Sequence, residues 1–262
     1  MKKLWLILFA LLIPYLTGCV QVEVSLSSDN GGIVDVGQYS FGREKVLDAM
    51  PICPLTTTLE SQKQNTGVWC WAASAQMVIN YLRAVNEPPL VRFRQCYIAS
   101  IALTDTAIPP AIPPPPPDCC MAEDSFVPEE SPPDPAAYKL KLDKAQRTCR
   151  ERLSPLIALK KNGYTAEQSS PLLWEGLTDQ LCTKQTPYII VVRFYDDDGS
   201  LAGAHSSVVG GARMTPDGDR YVEVSDHSED DFFLMKWEAF KAGVPGDFDH
   251  VNDYIDIKHQ PN

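Results

Sequence analysis

The sequence has little positive charge: 23 Lys and Arg stand against 34 Asp and Glu in 262 residues. A formal net charge of −11 argues against a protein that binds nucleic-acid phosphates, because such a protein needs a basic surface. Neither a Walker-type glycine loop nor a GxGxxG motif occurs, so nucleotide chemistry has no support. At 44% hydrophobic and 22% charged residues, the composition is that of an ordinary globular chain.

The acidic residues and the cysteines do not form a metal motif. The run DDDG at 196–199 lacks the alternate spacing of an EF-hand loop, and residues 226–230 lack its Gly and terminal Glu. Cys119 and Cys120 are adjacent, which is too tight for a zinc-chelating pair. We therefore predict no metal and no other cofactor, and we interpret the acidic C-terminal region, residues 196–256, as a solvated face.

Residues 1–18 have the organisation of an export signal. Lys2 and Lys3 precede an apolar run over residues 4–16, which is too short to span a bilayer comfortably. The run leads into LTGC, which resembles the lipobox of bacterial lipoproteins, where cleavage leaves the cysteine, here Cys19, as the acylated N-terminus. The alternative is an ordinary signal peptide with an incidental cysteine.

The lipoprotein resemblance implies a location in the bacterial cell envelope. Val20 follows Cys19, at a position where Asp usually means retention in the inner membrane, so we expect an outer-membrane lipoprotein anchored by acylated Cys19. Residues 19–48 are polar and predict a lipid anchor followed by a flexible tether. The folded domain is then expected over residues 49–262.

The hydrophobic pattern places helices before strands. Helices are predicted over residues 69–82 and 136–161, with Pro155 kinking or splitting the second. Strands are predicted over 187–195, 204–213, 220–225 and 232–237, with a turn at 216–219 and a short helix at 238–242. Helices followed by an antiparallel sheet indicate the α+β class. The Pro-rich, acidic residues 108–135 predict an exposed insertion fixed by Cys119 and Cys120.

Seven cysteines remain once Cys19 is set apart: Cys53, Cys70, Cys96, Cys119, Cys120, Cys149 and Cys182. An exported protein can form disulfides, and an odd number leaves one thiol over. Cys70 is our candidate for that thiol, because it lies where a glycine-bearing loop enters an apolar helix. The positive end of a helix favours a thiolate, and its first amides can bind an oxyanion.

The segment QNTGVWCWAA at 64–73 resembles the papain-like cysteine proteases, whose pattern is Gln, five residues and then Cys-Trp at the start of the central helix. The WCWAA core is similar to a bacterial branch that includes plant-pathogen effector proteases and, more loosely, bacteriocin leader peptidases. Members of that branch also carry a Cys and then a Cys-Cys pair downstream, as Cys96 and Cys119-Cys120 do here. The resemblance implies a papain-like fold with a central N-terminal helix packed on an antiparallel sheet.

The same resemblance implies the catalytic residues. Cys70 would be the nucleophile, Gln64 an oxyanion donor and His205, at the start of a strand, the general base. Asp226 would orient His205, although the bacterial branch usually has Asp-Pro where this chain has Asp226-His227.

Several neighbours of these residues remain alternatives. Gln62 competes with Gln64 as the oxyanion donor, and His227 competes for the roles of base and orienter. Asp230 and Asp231 are alternatives to Asp226. The remaining histidines, His250 and His259, are expected to be solvated.

The six other cysteines are expected to form three disulfides. One of the 15 possible connectivities pairs the adjacent Cys119 and Cys120 with Cys96 and Cys149, leaving Cys53 with Cys182.

Together these features predict a membrane-anchored cysteine peptidase that hydrolyses peptide or amide bonds through a Cys-His-Asp triad. Two alternatives remain open. One is a peptidoglycan endopeptidase or amidase of related fold, which would act on stem peptides. The other is a non-catalytic binding lipoprotein that uses the Pro-rich insertion as its contact surface.

Overall fold

The computed structural model describes residues 49–86, 92–103, 119–123, 132–195, 199, 201–226, 231–243 and 248–260. The predicted signal peptide at 1–18, the tether with Cys19 and most of the Pro-rich insertion therefore lie outside the described residues. Within these ranges no helix is both long and apolar enough to span a membrane. The same ranges contain no group of three or more His, Cys, Asp or Glu side chains that could hold a metal ion.

Four helices and one short 3-10 helix precede most of the strands. They are α1 (Cys70–Asn86), α2 (Gln95–Leu103), the 3-10 helix Cys119–Ala122, α3 (Pro135–Cys149) and α4 (Pro155–Lys161). Pro155 splits the predicted 136–161 helix, as expected, because proline fits the first turn of a helix but not its interior. Ser154 caps the new helix by accepting a hydrogen bond from the Leu156 N–H at 3.2 Å.

The strands form an antiparallel sheet, so the predicted α+β class is confirmed. In chain order they are β1 (Met50–Pro51), β2 (Tyr164–Ser169), β3 (Tyr188–Tyr195), β4 (Leu201–Met214), β5 (Arg220–Asp226), β6 (Asp231–Lys236) and β7 (Phe248–His259). The order across the described sheet is β2-β7-β3-β4-β5-β6, with β1 paired to β4. Between β2 and β3 lie α5 (Trp174–Thr178) and a π-helix (Asp179–Thr183), and α6 (Trp237–Ala242) follows β6.

The central strand β3 is covered on both faces, which explains its continuous apolar sequence. Ile189 and Val191 face the core cluster built around α1, whereas Tyr188, Ile190 and Val192 face a second cluster. Twelve of the 17 residues of α1 are buried, so this helix forms the centre of the domain as predicted. One end of α1 lies against the sheet. Packing of its buried residues, in addition to their helix propensity, fixes the helix there.

The acidic C-terminal region is not simply a solvated face. Strand β7 lies between β2 and β3 in the sheet, and its Asp253 is fully buried. The expectation that His250 is solvated is wrong, because its side chain is 1% exposed and bonds Asp253 at 2.7 Å. His259, by contrast, is exposed as expected.

The predicted exposed insertion contains a buried segment. Cys119, Ala122 and Glu123 are 1%, 0% and 8% exposed, so this part of residues 108–135 belongs to the core rather than to an exposed loop. The physical reason is covalent: disulfides tie both adjacent cysteines of this segment to helices of the domain.

Three disulfides join described cysteines: Cys53–Cys182, Cys96–Cys120 and Cys119–Cys149. They coincide with the connectivity considered from the sequence. Two of them link the 3-10 helix to the start of α2 and to the end of α3, so the three helices form one cross-linked unit.

Candidate active site

Cys70 is the first residue of α1. The carbonyl of Trp69 accepts the N–H of Ala73 at 2.8 Å, which is the first hydrogen bond of the helix. The sulfur therefore lies at the positive end of a 17-residue helix dipole, where a negative charge is stabilised. Cys70 is fully buried.

The Cys70 sulfur is in contact with strand β4. The main-chain N–H of Ser206 donates a hydrogen bond to Sγ of Cys70 at 3.4 Å. One turn further along α1, the hydroxyl of Ser74 donates to the hydroxyl of Ser206 at 3.2 Å, and both are buried. The N-terminal end of α1 is thus fixed against one point of β4.

Cys70 is not the odd thiol in this structure. Its sulfur is in a disulfide, and the partner lies outside the described residues. The expectation that pairing of the other six cysteines leaves Cys70 as a thiol is therefore wrong for this state of the molecule. A nucleophilic role belongs to the reduced form, since the thiolate is the attacking species.

His205 directly precedes Ser206 in β4, so the backbone of the predicted base is adjacent in sequence to the residue whose N–H bonds the predicted nucleophile. Its backbone pairs with Val192 of β3, and its side chain is half-buried. Cys70 and His205 are 135 positions apart in the sequence, and the hydrogen bond from Ser206 is one of the contacts that join their two elements.

Asp226 is the last residue of β5, the strand that pairs with β4. The Val208 N–H of β4 donates a hydrogen bond to the Ser225 hydroxyl of β5 at 2.8 Å, which fixes the two strands to each other at this end. The backbone of Asp226 thus lies beside the His205 strand, as the sequence predicted. The side chain of Asp226 and all of His227 and Asp230 are outside the described residues.

Gln64 is half-buried, and its Oε1 is buried without a hydrogen-bond partner among the described residues. Its rival Gln62 is engaged elsewhere, because its Nε2 donates to the Ser61 carbonyl at 2.8 Å and its Oε1 accepts from Gln76 at 3.4 Å. The amide of Gln62 is therefore committed to these partners. The atom of Gln64 that would serve an oxyanion is its Nε2, because an oxyanion needs an N–H donor.

The loop between Gln64 and Cys70 is closed by local hydrogen bonds. The Trp69 N–H donates to the Thr66 carbonyl at 3.2 Å, and the Val68 N–H donates to the Thr66 hydroxyl at 3.3 Å. The indole N–H of Trp69 reaches the carbonyl of Cys149 at 2.6 Å in the buried interior. The residue before Cys70 is thereby anchored to the end of α3, at a disulfide.

The sequence analysis did not predict that His250 and Asp253 form a buried pair of a histidine and a carboxylate. Besides His250, the carboxylate of Asp253 accepts the Leu172 N–H at 2.7 Å. Since both side chains are at most 1% exposed, a substrate does not reach this pair, and its role is to join β7 to the loop before α5.

One comparison with known proteins identifies a related sequence segment. A family model described as papain-like cysteine protease AvrRpt2 matches residues 53–107, which include Gln64 and Cys70. The matched segment is about a fifth of the chain, and it supports the interpretation of this protein as a cysteine peptidase. No curated protein sequence matches the chain significantly.

Solved structures of cysteine-protease precursors resemble the chain at low identity. Procathepsin B S9 from Trypanosoma congolense is 12% identical, with a TM-score of 0.41, over 90% of this chain and 86% of that one. The recombinant stem bromelain precursor is 10% identical, with a TM-score of 0.42, over 77% and 67%. Procathepsin L 3 of the Tenebrio molitor larval midgut is 13% identical, with a TM-score of 0.38, over 82% and 76%. Similarity at this level does not identify an activity.

Proposed function

We propose that this protein is a papain-like cysteine peptidase in which reduced Cys70 attacks the carbonyl of a peptide or amide bond. The observation that carries the proposal is the hydrogen bond from the Ser206 N–H to the Cys70 sulfur. It ties the N-terminus of α1 to the residue after His205, and an imidazole within reach of a thiol is the requirement of this chemistry.

The reduced sulfur would be stabilised as a thiolate by two features of the fold. The helix dipole of α1 favours negative charge at Cys70, and the Ser206 N–H donates to the sulfur directly. Hydrogen bonding to the charged form of a group favours that form, so both features act in the same direction.

In the proposed reaction the thiolate adds to the carbonyl carbon, and the carbonyl oxygen becomes an oxyanion held by the Cys70 amide and Gln64. His205 gives its proton to the leaving amine as the acyl-enzyme forms. Water, deprotonated by His205, then adds to the acyl carbon, the Cys70 sulfur leaves as thiolate, and the thiolate–imidazolium pair is restored. Asp226 is proposed to hold the His205 ring in the required tautomer.

The redox state of Cys70 sets the condition of the reaction, because the nucleophile exists only when Cys70 is not in a disulfide. The three described disulfides use six other cysteines, so Cys19 is the one further cysteine in the sequence, and acylation of its sulfur leaves Cys70 no cysteine of this chain to pair with. The acylated protein should therefore be active without reductant, whereas protein with an unmodified Cys19 should need it. The cross-linked helical unit must persist in the same reductant, because it holds Trp69. The structure therefore suggests an assay with a stepwise reductant titration rather than a single strongly reducing condition.

Location and substrate belong to the proposal as well. The export signal and LTGC motif support a lipid-anchored envelope protein with acylated Cys19, and Val20 supports the outer membrane. Peptides or proteins are the proposed substrates, as the family-model match supports. Mass spectrometry of the mature N-terminus tests acylation, and membrane fractionation of a Cys19→Ala variant tests anchoring.

The activity test uses the full chain in detergent with fluorescein-labelled casein and, separately, purified muropeptides. Wild-type protein is expected to degrade casein once Cys70 is reduced, and Cys70→Ala is expected to remove all hydrolysis. His205→Ala should lower kcat by about 100-fold or more, since a general base contributes at least that factor. The control His259→Ala, an exposed histidine, should leave kcat unchanged.

Three results would overturn the proposal or redirect it. Hydrolysis of muropeptides without casein would identify a peptidoglycan enzyme instead. Hydrolysis that survives Cys70→Ala would exclude this residue as the nucleophile. No hydrolysis of either substrate at any reductant concentration would leave a binding protein as the better account.

A further inference from the structure

The loop that carries Gln64 is held by one side chain from another helix. Gln95, the first residue of α2, is 2% exposed. Its Oε1 accepts the main-chain N–H of Asn65 at 2.8 Å, and its Nε2 donates to the main-chain carbonyl of Lys63 at 2.5 Å. A single amide thus binds the peptide groups on both sides of Gln64.

This arrangement fixes the backbone of Gln64 specifically. The Lys63 carbonyl belongs to the peptide plane before Gln64, and the Asn65 N–H belongs to the plane after it. Rotation about φ or ψ of Gln64 moves one plane relative to the other and breaks one of the two hydrogen bonds. The Gln95 amide therefore bonds this segment as the backbone of a neighbouring strand would.

A second contact supports the same loop from the same unit. The Asn65 side-chain N–H donates to Glu123 Oε1 at 2.8 Å, and Arg94 pairs with the other carboxylate oxygen at 3.1 Å. Glu123 is 8% exposed. The Cys96–Cys120 disulfide joins the segment of Gln95 to the segment of Glu123. The loop is therefore held by two groups whose relative position is covalently restrained.

We propose that Gln95 is a positioning residue for the reaction, which aims the Gln64 amide at the oxyanion by clamping the backbone on both sides of it. This inference rests on the proposed function, since it needs Gln64 to act as an oxyanion donor. The Oε1 of Gln64 is buried and accepts no hydrogen bond among the described residues, so this oxygen does not orient the side chain and the clamped backbone is proposed to do so.

The experiment compares two reactions of the reduced full chain. Hydrolysis of a quenched fluorescent peptide passes through an oxyanion, whereas alkylation of Cys70 by iodoacetamide displaces iodide and forms no oxyanion. Gln95→Met removes the amide at nearly constant side-chain length. It is expected to lower kcat about 10-fold with KM within twofold, and to leave the alkylation rate within twofold of wild type.

A double-mutant cycle separates positioning from stability. Gln64→Ala should lower kcat about 100-fold, and Gln64→Ala/Gln95→Met should lie within twofold of Gln64→Ala alone, because no Gln64 amide is left to aim. The matched control is Gln180→Met, a 1% exposed glutamine whose Nε2 donates to the Thr186 carbonyl at 3.4 Å. It should leave kcat unchanged.

Gln95→Asn covers the case in which Gln95→Met does not fold. It keeps a buried amide but is one methylene shorter, so it cannot bond both Lys63 and Asn65, and its kcat should also fall. Unchanged kcat in both variants, equal losses with and without Gln64, or parallel loss of alkylation would overturn the inference. Failure of the proposed function differs visibly, because wild-type protein itself would then not hydrolyse the peptide.

Discussion

The Ser206 N–H and the Cys70 sulfur are joined by a hydrogen bond of 3.4 Å in the buried interior. Cys70 begins the central helix, and Ser206 follows His205 in a central strand, so this contact links the helix of the proposed nucleophile to the strand of the proposed base. It depends on the packing of α1 on β4, and the Ser74–Ser206 hydroxyl contact lies at the same interface.

The two serines are therefore expected to be energetically coupled. Ser74→Ala and Ser206→Ala should each lower the free energy of unfolding by about 1–2 kcal/mol, because each removes half of a buried hydrogen bond. The double variant should lose less than the sum, by about 1 kcal/mol, in urea unfolding. Ser100→Ala, whose hydroxyl bonds the Cys96 carbonyl, should instead be additive with Ser206→Ala.

The disulfides should affect stability and activity in opposite orders. The Cys53–Cys182 bond spans 129 residues and the Cys119–Cys149 bond spans 30. The loss of chain entropy in the unfolded state therefore predicts that they stabilise the fold by about 5 and about 3.5 kcal/mol, respectively. Paired Cys→Ser variants should show that order in urea. Hydrolysis should suffer more from Cys119→Ser/Cys149→Ser, since this disulfide restrains the segment whose main-chain carbonyl, at Cys149, accepts the indole N–H of Trp69. Activity losses that follow the stability losses would contradict this.

Removal of the Asp253 carboxylate should be strongly destabilising. Asp253→Ala leaves the buried His250 ring and the Leu172 N–H without their partner, which should cost about 3–5 kcal/mol by thermal or urea unfolding. Asp249→Ala, on an exposed position of the same strand and bonded to Tyr195, should cost less than about 1 kcal/mol. Equal losses of unfolding free energy in the two variants would show that the buried His250–Asp253 pair stabilises the fold no more than the exposed Asp249 contact does.

Tyr188 should set part of the alkaline limit of stability. Burial, with a smaller contribution from the Asp253 charge, raises the pKa of its phenol well above the ordinary 10.0. A folded-state pKa above the unfolded one means that this contribution is complete below pH 10 and is lost as pH rises towards the folded value. Tyr188→Phe should therefore flatten the fall of unfolding free energy above pH 10.

The same substitution has a second expected result at neutral pH. The Tyr188 hydroxyl is buried without a hydrogen-bond partner among the described residues, so its removal should change stability by less than about 1 kcal/mol at pH 7. If the unfolding free energies of wild-type and Tyr188→Phe protein differ by the same amount at every pH from 7 to 11, the raised pKa of Tyr188 is contradicted.

Local patterns predicted the parts of the fold in which sequence and burial agree. The dense apolar run after Cys70 became α1, Pro155 began a new helix, and the turn at 216–219 joined β4 to β5. Each of these rests on a period or a turn preference that is visible within a few residues. The family resemblance carried the catalytic residues, which composition and spacing do not identify.

The features that were missed depend on contacts between distant residues. Strand β7 contains acidic residues at short intervals, and its burial becomes favourable only because Asp253 finds His250 and the Leu172 N–H, 81 positions away. Gln95 is an unremarkable helix residue in the sequence, and its importance appears only when it meets the loop around Gln64, some 30 positions earlier. The disulfide of Cys70 was not predicted either, because the count of seven cysteines left out Cys19 as the lipidated residue.

The most direct test of the central claim is the reactivity of Cys70 itself. The full chain is treated with stepwise increasing reductant and then with iodoacetamide between pH 5 and 9, and adducts are mapped by mass spectrometry. We predict that a single adduct forms at Cys70, already fast at acid pH, and that His205→Ala but not His259→Ala slows it. Reaction at Cys70 only at alkaline pH, with the same profile in His205→Ala, would contradict a thiolate–imidazolium pair.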